Sequence, residues 1–277
     1  GSIFVQIGDE NVHRVRAVMD EVFGDENLIA LISFTKTTSA TNDYLSGVAD
    51  YVAWFAKSKP SCKYRQLYRD KAAGGDGAAH YNSILMPDGS RRPATKSERS
   101  GASTDGVLYT ADQLQSAGMG REKGEGAASW FKVHCEGRTF TPTQQTRWKT
   151  NELGMSRLGR ACRLLPQENA LRYLRRIDDF AAYAISNVWT DIGGAADKRY
   201  VVETTPKIVE RCLLMASDPG DVVLDPTCGS GTTAAVAEQW GRRWITIDTS
   251  RVALALARSR IMGARFPYYL LADSKEG

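Results

Sequence analysis

Two features of this sequence predict an α/β architecture built around a parallel sheet. The first is the segment from Gly220 to Ser250. Val222–Leu224 is a short apolar run rich in β-branched residues, too short for a helix, and reads as a buried strand. It leads through Asp225-Pro226 and the turn Gly229-Ser230-Gly231 into a helical stretch, Thr232–Trp240, and then a second apolar strand, Trp244–Ile247, followed by Asp248. Strand, glycine turn, helix, strand and acid form the layout of a nucleotide-type cofactor site, in which glycines admit the ligand to the backbone and the acid accepts ribose hydroxyls. The second feature is the start of the chain, where strand and helix patterns also alternate.

In chain order, Ile3–Ile7 is an apolar strand, Asp9 is placed to cap a helix over Glu10–Phe23, and Gly24 closes it. His13 lies on that helix as a surface or packing residue. Leu28–Phe34 and Asp50–Ala56 read as strands joined by the polar turn Thr37–Gly47. Residues 59–188 then interrupt the α/β pattern. Phe131–Thr139 and Thr146–Arg147 look like short strands, Ser156–Ala161 and Gln167–Arg172 hold pieces of helix or strand, and the small-residue stretches Ala72–Ala79 and Gly118–Ala128 read as loops. From 189 to 277 the pattern resumes. Pro206–Ala216 is an amphipathic helix with Ile208, Val209, Cys212, Leu213 and Met215 as its apolar stripe and Thr204 or Thr205 as its cap. Thr249 is placed to cap Arg251–Met262, and Pro267–Leu271 reads as a third strand ending at Asp273.

With 42% hydrophobic residues, a chain of 277 can bury one large core or two smaller ones. It has no apolar run of about 18 residues and nothing resembling a signal peptide, so the expectation is a soluble, cytoplasmic protein. Gly1-Ser2 resembles a cloning scar. The five cysteines have no CxxC spacing, and with three scattered histidines no metal site is expected. The net charge of +4 conceals an uneven distribution: between Lys59 and Asp179 there are 21 Lys and Arg against 13 Asp and Glu. Several of these cations stand beside aromatic or amide side chains, a mixture that suits phosphate neutralisation combined with base contacts. The candidates for contact with double-stranded DNA are Lys63, Arg65, Arg91, Arg92, Arg147, Lys149, Arg175 and Arg176.

The turn Asp225-Pro226-Thr227-Cys228-Gly229-Ser230-Gly231-Thr232-Thr233 is not the G-x-G-x-x-G of a dinucleotide site. Two glycines behind a leading acid suit a ligand without phosphates and with a cationic amino-acid end. The segment resembles motif I of the amino-methylating DNA methyltransferases; Thr204–Leu214 resembles motif X, Ile245–Ser250 motif II, and Pro267–Asp273 motif III. The order X, I, II late in the chain is that of the circularly permuted β-class. The resemblance, close over about residues 185–275, implies a Rossmann-like fold that binds S-adenosyl-L-methionine. It implies cofactor contacts from Thr204, Thr205, Asp225, Pro226, Thr227, Gly229, Ser230, Gly231, Thr232, Asp248 and Thr249, with Asp248 on the ribose. It further implies that residues 1–58 form the late sheet segment (motifs VI to VIII, with Thr37–Ser46 near the target base), 59–188 an inserted target-recognition region, and 189–277 the cofactor half. Trp148–Thr190 resembles a stretch of type III-like modification methylases that serves packing more than sequence choice, which leaves about 65–130 as the better candidate for reading bases. The family reading has adenine N6 as the target, with cytosine N4 as the alternative.

Methyl transfer to an exocyclic amine needs the amine held in line with the methyl group and its lone pair freed from the ring. The family does this with an (Asp/Asn/Ser)-Pro-Pro-aromatic motif, and this sequence contains no Pro-Pro. In the permuted order that motif precedes the segment resembling motif VI. The expectation is therefore a fragment with an incomplete sheet and no catalytic residues of its own. Its two inner edges should then pair with each other or with another polypeptide: the rest of the parent protein, or a restriction subunit. A non-catalytic DNA-binding module on the same scaffold is the reading from a different class.

Overall fold

The computed structural model describes residues 1–36, 44–102, 104–118, 129–193 and 204–265. The expected strand Pro267–Leu271 with Asp273, and most of the loops Thr37–Ser46 and Gly118–Ala128, lie outside the described residues. The chain divides into two compact units, one formed by Gly1–Leu67 with Ala184–Gly277, the other by Tyr68–Tyr183.

The first unit opens with β1 (Ser2–Gly8), α1 (Val12–Phe23), β2 (Leu28–Thr35) and β3 (Ala49–Ala56). β3 lies between β1 and β2, antiparallel to both, with Phe4 opposite Trp54 and Ile32 opposite Val52. Alternation along β3 buries both of its faces. Val52 and Trp54 enter one cluster, while Ala53 and Phe55 pack with Val15, Met19 and Phe23 of α1 on the other face. The helix starts later than the sequence suggests: Asn11, not Asp9, holds the N-cap position, and no side chain caps it. Gly24, at φ 84°, closes it as expected.

The second unit contains β4 (Tyr68–Asp70), β5 (Ser83–Leu85), β6 (Arg91–Pro93), α2 (Lys96–Arg99), β7 (Val107–Gln113), β8 (Gln115–Ala117), β9 (Val133–Cys135), β10 (Arg138–Phe140), β11 (Thr146–Trp148), α3 (Glu152–Arg160), β12 (Leu164–Pro166), β13 (Leu171–Arg176) and β14 (Ala182–Ala184). Its main sheet is antiparallel, in the order β12-β13-β7-β5-β6. Phe131–Thr139 is two strands rather than one, because Glu136 and Gly137 both take positive φ and turn the chain between β9 and β10. Trp148, Met155, Leu164 and Leu171 form its core, with the Trp148 indole donating to Phe131 O at 2.9 Å.

Back in the first unit, β15 (Val188–Trp189) runs parallel to β2. α4 (Pro206–Ala216), β16 (Val222–Asp225), α5 (Thr232–Gln239), β17 (Arg243–Thr246) and α6 (Arg251–Met262) follow. α4 carries two apolar stripes. Ile208, Cys212 and Met215 pack on the β1–β3–β2–β15 sheet, while Val209 and Leu213 pack with Val223, Val236, Ala237 and Trp244. Burial pushes the Cys212 thiol up to about 12, so it behaves as an inert apolar group. β16 and β17 are parallel, with Leu224 opposite Ile245, and among the described residues form a separate two-stranded sheet. Among the described residues, the free edges of β1 and β16 do not pair with each other, contrary to one of the two expectations above.

Candidate cofactor site

The site is built where the carboxyl ends of β16 and β17 meet the first turn of α5, the place where open parallel sheets hold their ligands. Asp225 ends β16; its Oδ1 accepts from the Thr227 amide at 2.9 Å and the Thr227 hydroxyl at 3.2 Å, an Asx-turn that bends the chain after Pro226. Its Oδ2 makes no hydrogen bond among the described residues. The Cys228 amide donates to Ile247 O at 2.9 Å and the Gly231 amide to Cys228 O at 2.9 Å. Asp248 lies two residues beyond β17. It accepts from the Gly229 amide through Oδ2 and from the Ser250 amide through Oδ1, both at 2.8 Å. Those backbone donors, Ser250 first and Gly229 second, hold the Asp248 carboxyl below the usual carboxylate range.

Four amides of the turn, those of Thr227, Cys228, Gly229 and Gly231, are thus satisfied inside the protein. They are not free to form the nest of N–H groups that a phosphate requires. Beside them stands acceptor capacity: Asp225 Oδ2 and the second lone pairs of Asp248. Those acceptors fit a ligand with a cationic amino-acid end and a ribose.

Several predicted site residues have structural duties. Ser230 and Thr232 are buried, and their hydroxyls lie 3.3 Å apart and both accept from Arg260 of α6, at 3.4 and 2.9 Å. Their side chains therefore fasten α6 to the turn. Gly231, in the left-handed region at φ 78°, is glycine for the same reason: a Cβ there would meet Ala257 Cβ at 2.8 Å. That close approach is made by α6. Thr204 donates to Gln6 Oε1 on β1 at 2.7 Å and Thr205 to Gly193 O at 3.2 Å, so neither side chain caps α4 or bonds to the glycine turn. The cap of α6 is Ser250, which accepts from the Ala253 amide, and not Thr249.

A buried pair beside α4 escaped the sequence reading. Arg211, 5% exposed, donates through both terminal nitrogens to Asp191 at 3.0 and 2.6 Å, stacks 5.0 Å over the Trp189 ring, and shares Asp191 with Lys207. Burial alone would raise the Asp191 pKa; hydrogen bonds from Arg211 and Lys207 overcome it and hold the carboxyl well below the usual range. No spacing rule links positions 20 residues apart, so only the folded chain reveals the pair.

The eight predicted DNA-contacting cations sort into two groups. Lys63 bridges Asp218 and Asp221, Arg65 pairs with Asp218 and donates to Ser217 O, Arg92 forks onto Glu98, and Arg176 onto Asp178. These four charges are answered within the protein. Arg91 touches Glu136 at 3.4 Å and Arg175 touches Asp112 at 3.1 Å through one nitrogen each, and Arg147 and Lys149 make no ion pair among the described residues.

No described helix is long and apolar enough to cross a membrane, and the described residues contain no cluster of three metal-ligating side chains. Comparison with known proteins gives a consistent family. The chain is 24% identical over 274 residues to the type II methyltransferase M.EcaI of Enterobacter cloacae, covering 96% of this chain and 54% of that protein. It is 39% identical over 87 residues to the type II methyltransferase M.BamHI of Bacillus amyloliquefaciens, covering 27% of this chain and 21% of that protein. The chain thus spans about half the length of the first relative, and its match to the second covers about a fifth of that protein. Among solved structures, the cytosine-N4-specific PvuII DNA methyltransferase aligns with a TM-score of 0.43 at 13% identity, covering 100% of this chain and 66% of that one. The putative DNA modification methylase TTHA0409 of Thermus thermophilus, complexed with S-adenosyl-L-methionine, aligns with a TM-score of 0.42 at 16% identity, covering 95% of this chain and 69% of that one. The profile of the N6/N4 DNA methylase family matches residues 1–259, which accounts for the Rossmann-like α/β architecture. The chain belongs to the N6/N4 family of DNA methylases.

Proposed function

We propose that the chain is the cofactor-binding and DNA-recognition part of an S-adenosyl-L-methionine-dependent DNA methyltransferase of the permuted β-class. It acts on adenine N6 within a restriction-modification system. The observation that carries this reading is the pair of carboxylates at the ends of adjacent parallel strands, Asp225 and Asp248, around a turn whose amides are already committed. Asp225 receives the cationic methionine end through Oδ2, and Asp248 receives the ribose through its remaining lone pairs while clamping Gly229. When bound, the cofactor supplies an activated methyl group. The chain's own part is to hold that cofactor and to present the duplex from the region 59–188. Adenine is favoured by the resemblance to type III-like modification methylases, and cytosine N4 is the second reading, since the family serves both amines.

The exposed outer face of β16 and β17 supports a site completed by further polypeptide. Val222, Leu224, Ile245 and Ile247 are all more than half exposed there, although parallel strands are normally covered on both faces. The test is calorimetry with S-adenosyl-L-methionine. Wild type binds, and Asp248→Ala weakens binding at least about tenfold, since a charge-assisted hydrogen bond lost at a ribose is worth roughly 1.5–3 kcal/mol. Equal affinity in the variant removes Asp248 from the ribose, and no binding in wild type favours a DNA-binding scaffold without cofactor. Mass analysis of nucleosides from DNA treated with protein and cofactor separates N6-methyladenine from N4-methylcytosine.

A further inference from the structure

The second unit has an open cleft of about 670 Å3 lined by Asp112, Leu114, Lys149, Tyr173, Arg175 and Phe180, among others. Its floor is apolar and its polar groups converge. β7 and β13 bring Asp112 opposite Tyr173, with Arg175 two residues further along the same face of β13. Arg175 Nη1 donates to Asp112 Oδ2 at 3.1 Å, and the guanidinium lies 5.1 Å over the Phe180 ring, itself 58% exposed. Arg175 Nε is buried without a hydrogen-bond partner, and neither Nη2 nor Asp112 Oδ1 bonds any described residue. Both side chains are about one-third exposed.

This separates Arg175 from the other arginines singled out above. Arg92 and Arg176 each have one planar donor pair filled by both oxygens of a carboxylate, whereas Arg175 gives its carboxylate a single hydrogen bond. Arg175 keeps most of its donors, and an aromatic ring and one carboxylate oxygen hold its plane. Beside it stands a carboxylate with an open oxygen. A guanidinium that donates next to a carboxylate that accepts is the complement of a G·C pair in the major groove: guanine offers two acceptors, O6 and N7, and cytosine a donor, the N4 amine. An A·T pair can also offer one acceptor to the guanidinium and the adenine N6 amine to the carboxylate, but it lacks the two adjacent acceptors with which guanine takes two donors of one guanidinium, so the G·C pair gains a hydrogen bond. Lys149, exposed at the rim and without an ion pair among the described residues, is a point charge suited to a backbone phosphate.

We propose that Arg175 and Asp112 together read one G·C base pair in the DNA substrate, with Phe180 holding the guanidinium plane and Lys149 neutralising an adjacent phosphate. The inference rests on the reading of this chain as a DNA-recognition module and makes it specific. The test is enrichment of bound duplexes from a randomised pool by the full chain, at one fixed salt concentration, for wild type, Arg175→Lys, Asp112→Asn and Lys149→Gln. Matching urea unfolding curves establish that the variants are folded. Wild type enriches G·C at a defined position. Arg175→Lys and Asp112→Asn each lower discrimination at that one position by about tenfold and leave the other positions unchanged. Lys149→Gln weakens every duplex alike and lowers the salt slope by about one. Unchanged preference in both Arg175→Lys and Asp112→Asn overturns base reading by this pair while leaving DNA recognition intact. Absence of duplex binding by wild type overturns both readings together.

Discussion

The two sheets of the first unit are made of similar residues and treated in opposite ways. In the β1–β3–β2–β15 sheet, β3 is closed on both sides: Ala53 and Phe55 are completely buried against α1, and Val52 and Trp54 are nearly so on the α4 side. In the β16–β17 sheet only the inner face, with Val223 and Trp244, meets helices, and the outer apolar residues face solvent. A two-stranded sheet is marginal by itself. The glycine turn therefore owes its shape less to its strands than to the Asp248 clamp, the α6 contact at Gly231 and the Arg260 bonds. The well-covered sheet is scaffold; the weakly covered one carries the proposed cofactor site, as expected of elements that exchange contacts with ligands and partners.

Substitutions can break or sharpen this contrast. Phe55→Ala should be the most damaging, costing about 3–5 kcal/mol in urea unfolding, because a large ring is lost from a place that cannot collapse. A loss below about 1 kcal/mol would remove the distinction between the sheets. Asp191→Asn should cost about 3 kcal/mol by leaving the Arg211 charge buried without a counter-ion. Its pH dependence has a definite sign. The folded pKa of Asp191 is depressed, so its contribution is complete above the unfolded value near about 4 and declines as the pH falls through the folded value. Stability curves measured on the acid side should be flatter in Asp191→Asn than in wild type; parallel curves would show that the pair does not titrate with folding.

Gly231→Ala should cost about 2 kcal/mol, combining left-handed backbone strain with the clash at Ala257. Adding Ala257→Gly should return only the steric share. Full recovery would mean that φ 78° is not demanding, and no recovery that the helix contact is irrelevant. Leu224→Ala, on the open face, should change stability by no more than about 0.5 kcal/mol. A cost approaching that of Phe55→Ala would mean that the outer face is covered in solution.

Local patterns found the elements well where the period was long or the punctuation sharp. Pro206–Ala216 and Arg251–Met262 have the boundaries the sequence suggests, because proline at a first turn and an apolar stripe are local causes. Caps were less legible. Asn11 and Ser250 stand one or two residues from the expected Asp9 and Thr249, since which hydroxyl or amide reaches the helix depends on how the preceding loop enters it. Ser230 and Thr232 look like ligand contacts in the motif, and the cause of their burial, Arg260, lies a whole helix away.

The sequence by itself determined that a parallel strand–turn–helix–strand unit with two acids would form. That is a consequence of residue order, which sets hydrophobic period, turn chemistry and motif spacing. Tertiary structure alone decided which charges are free. Arg92 and Arg176 are closed by acids a few residues away, and Lys63 and Arg65 by acids from a distant part of the chain, while Arg175 and Lys149 keep open donors. A charge is available to a ligand only if no partner within hydrogen-bond reach has claimed it, and that is a property of distances in the folded chain.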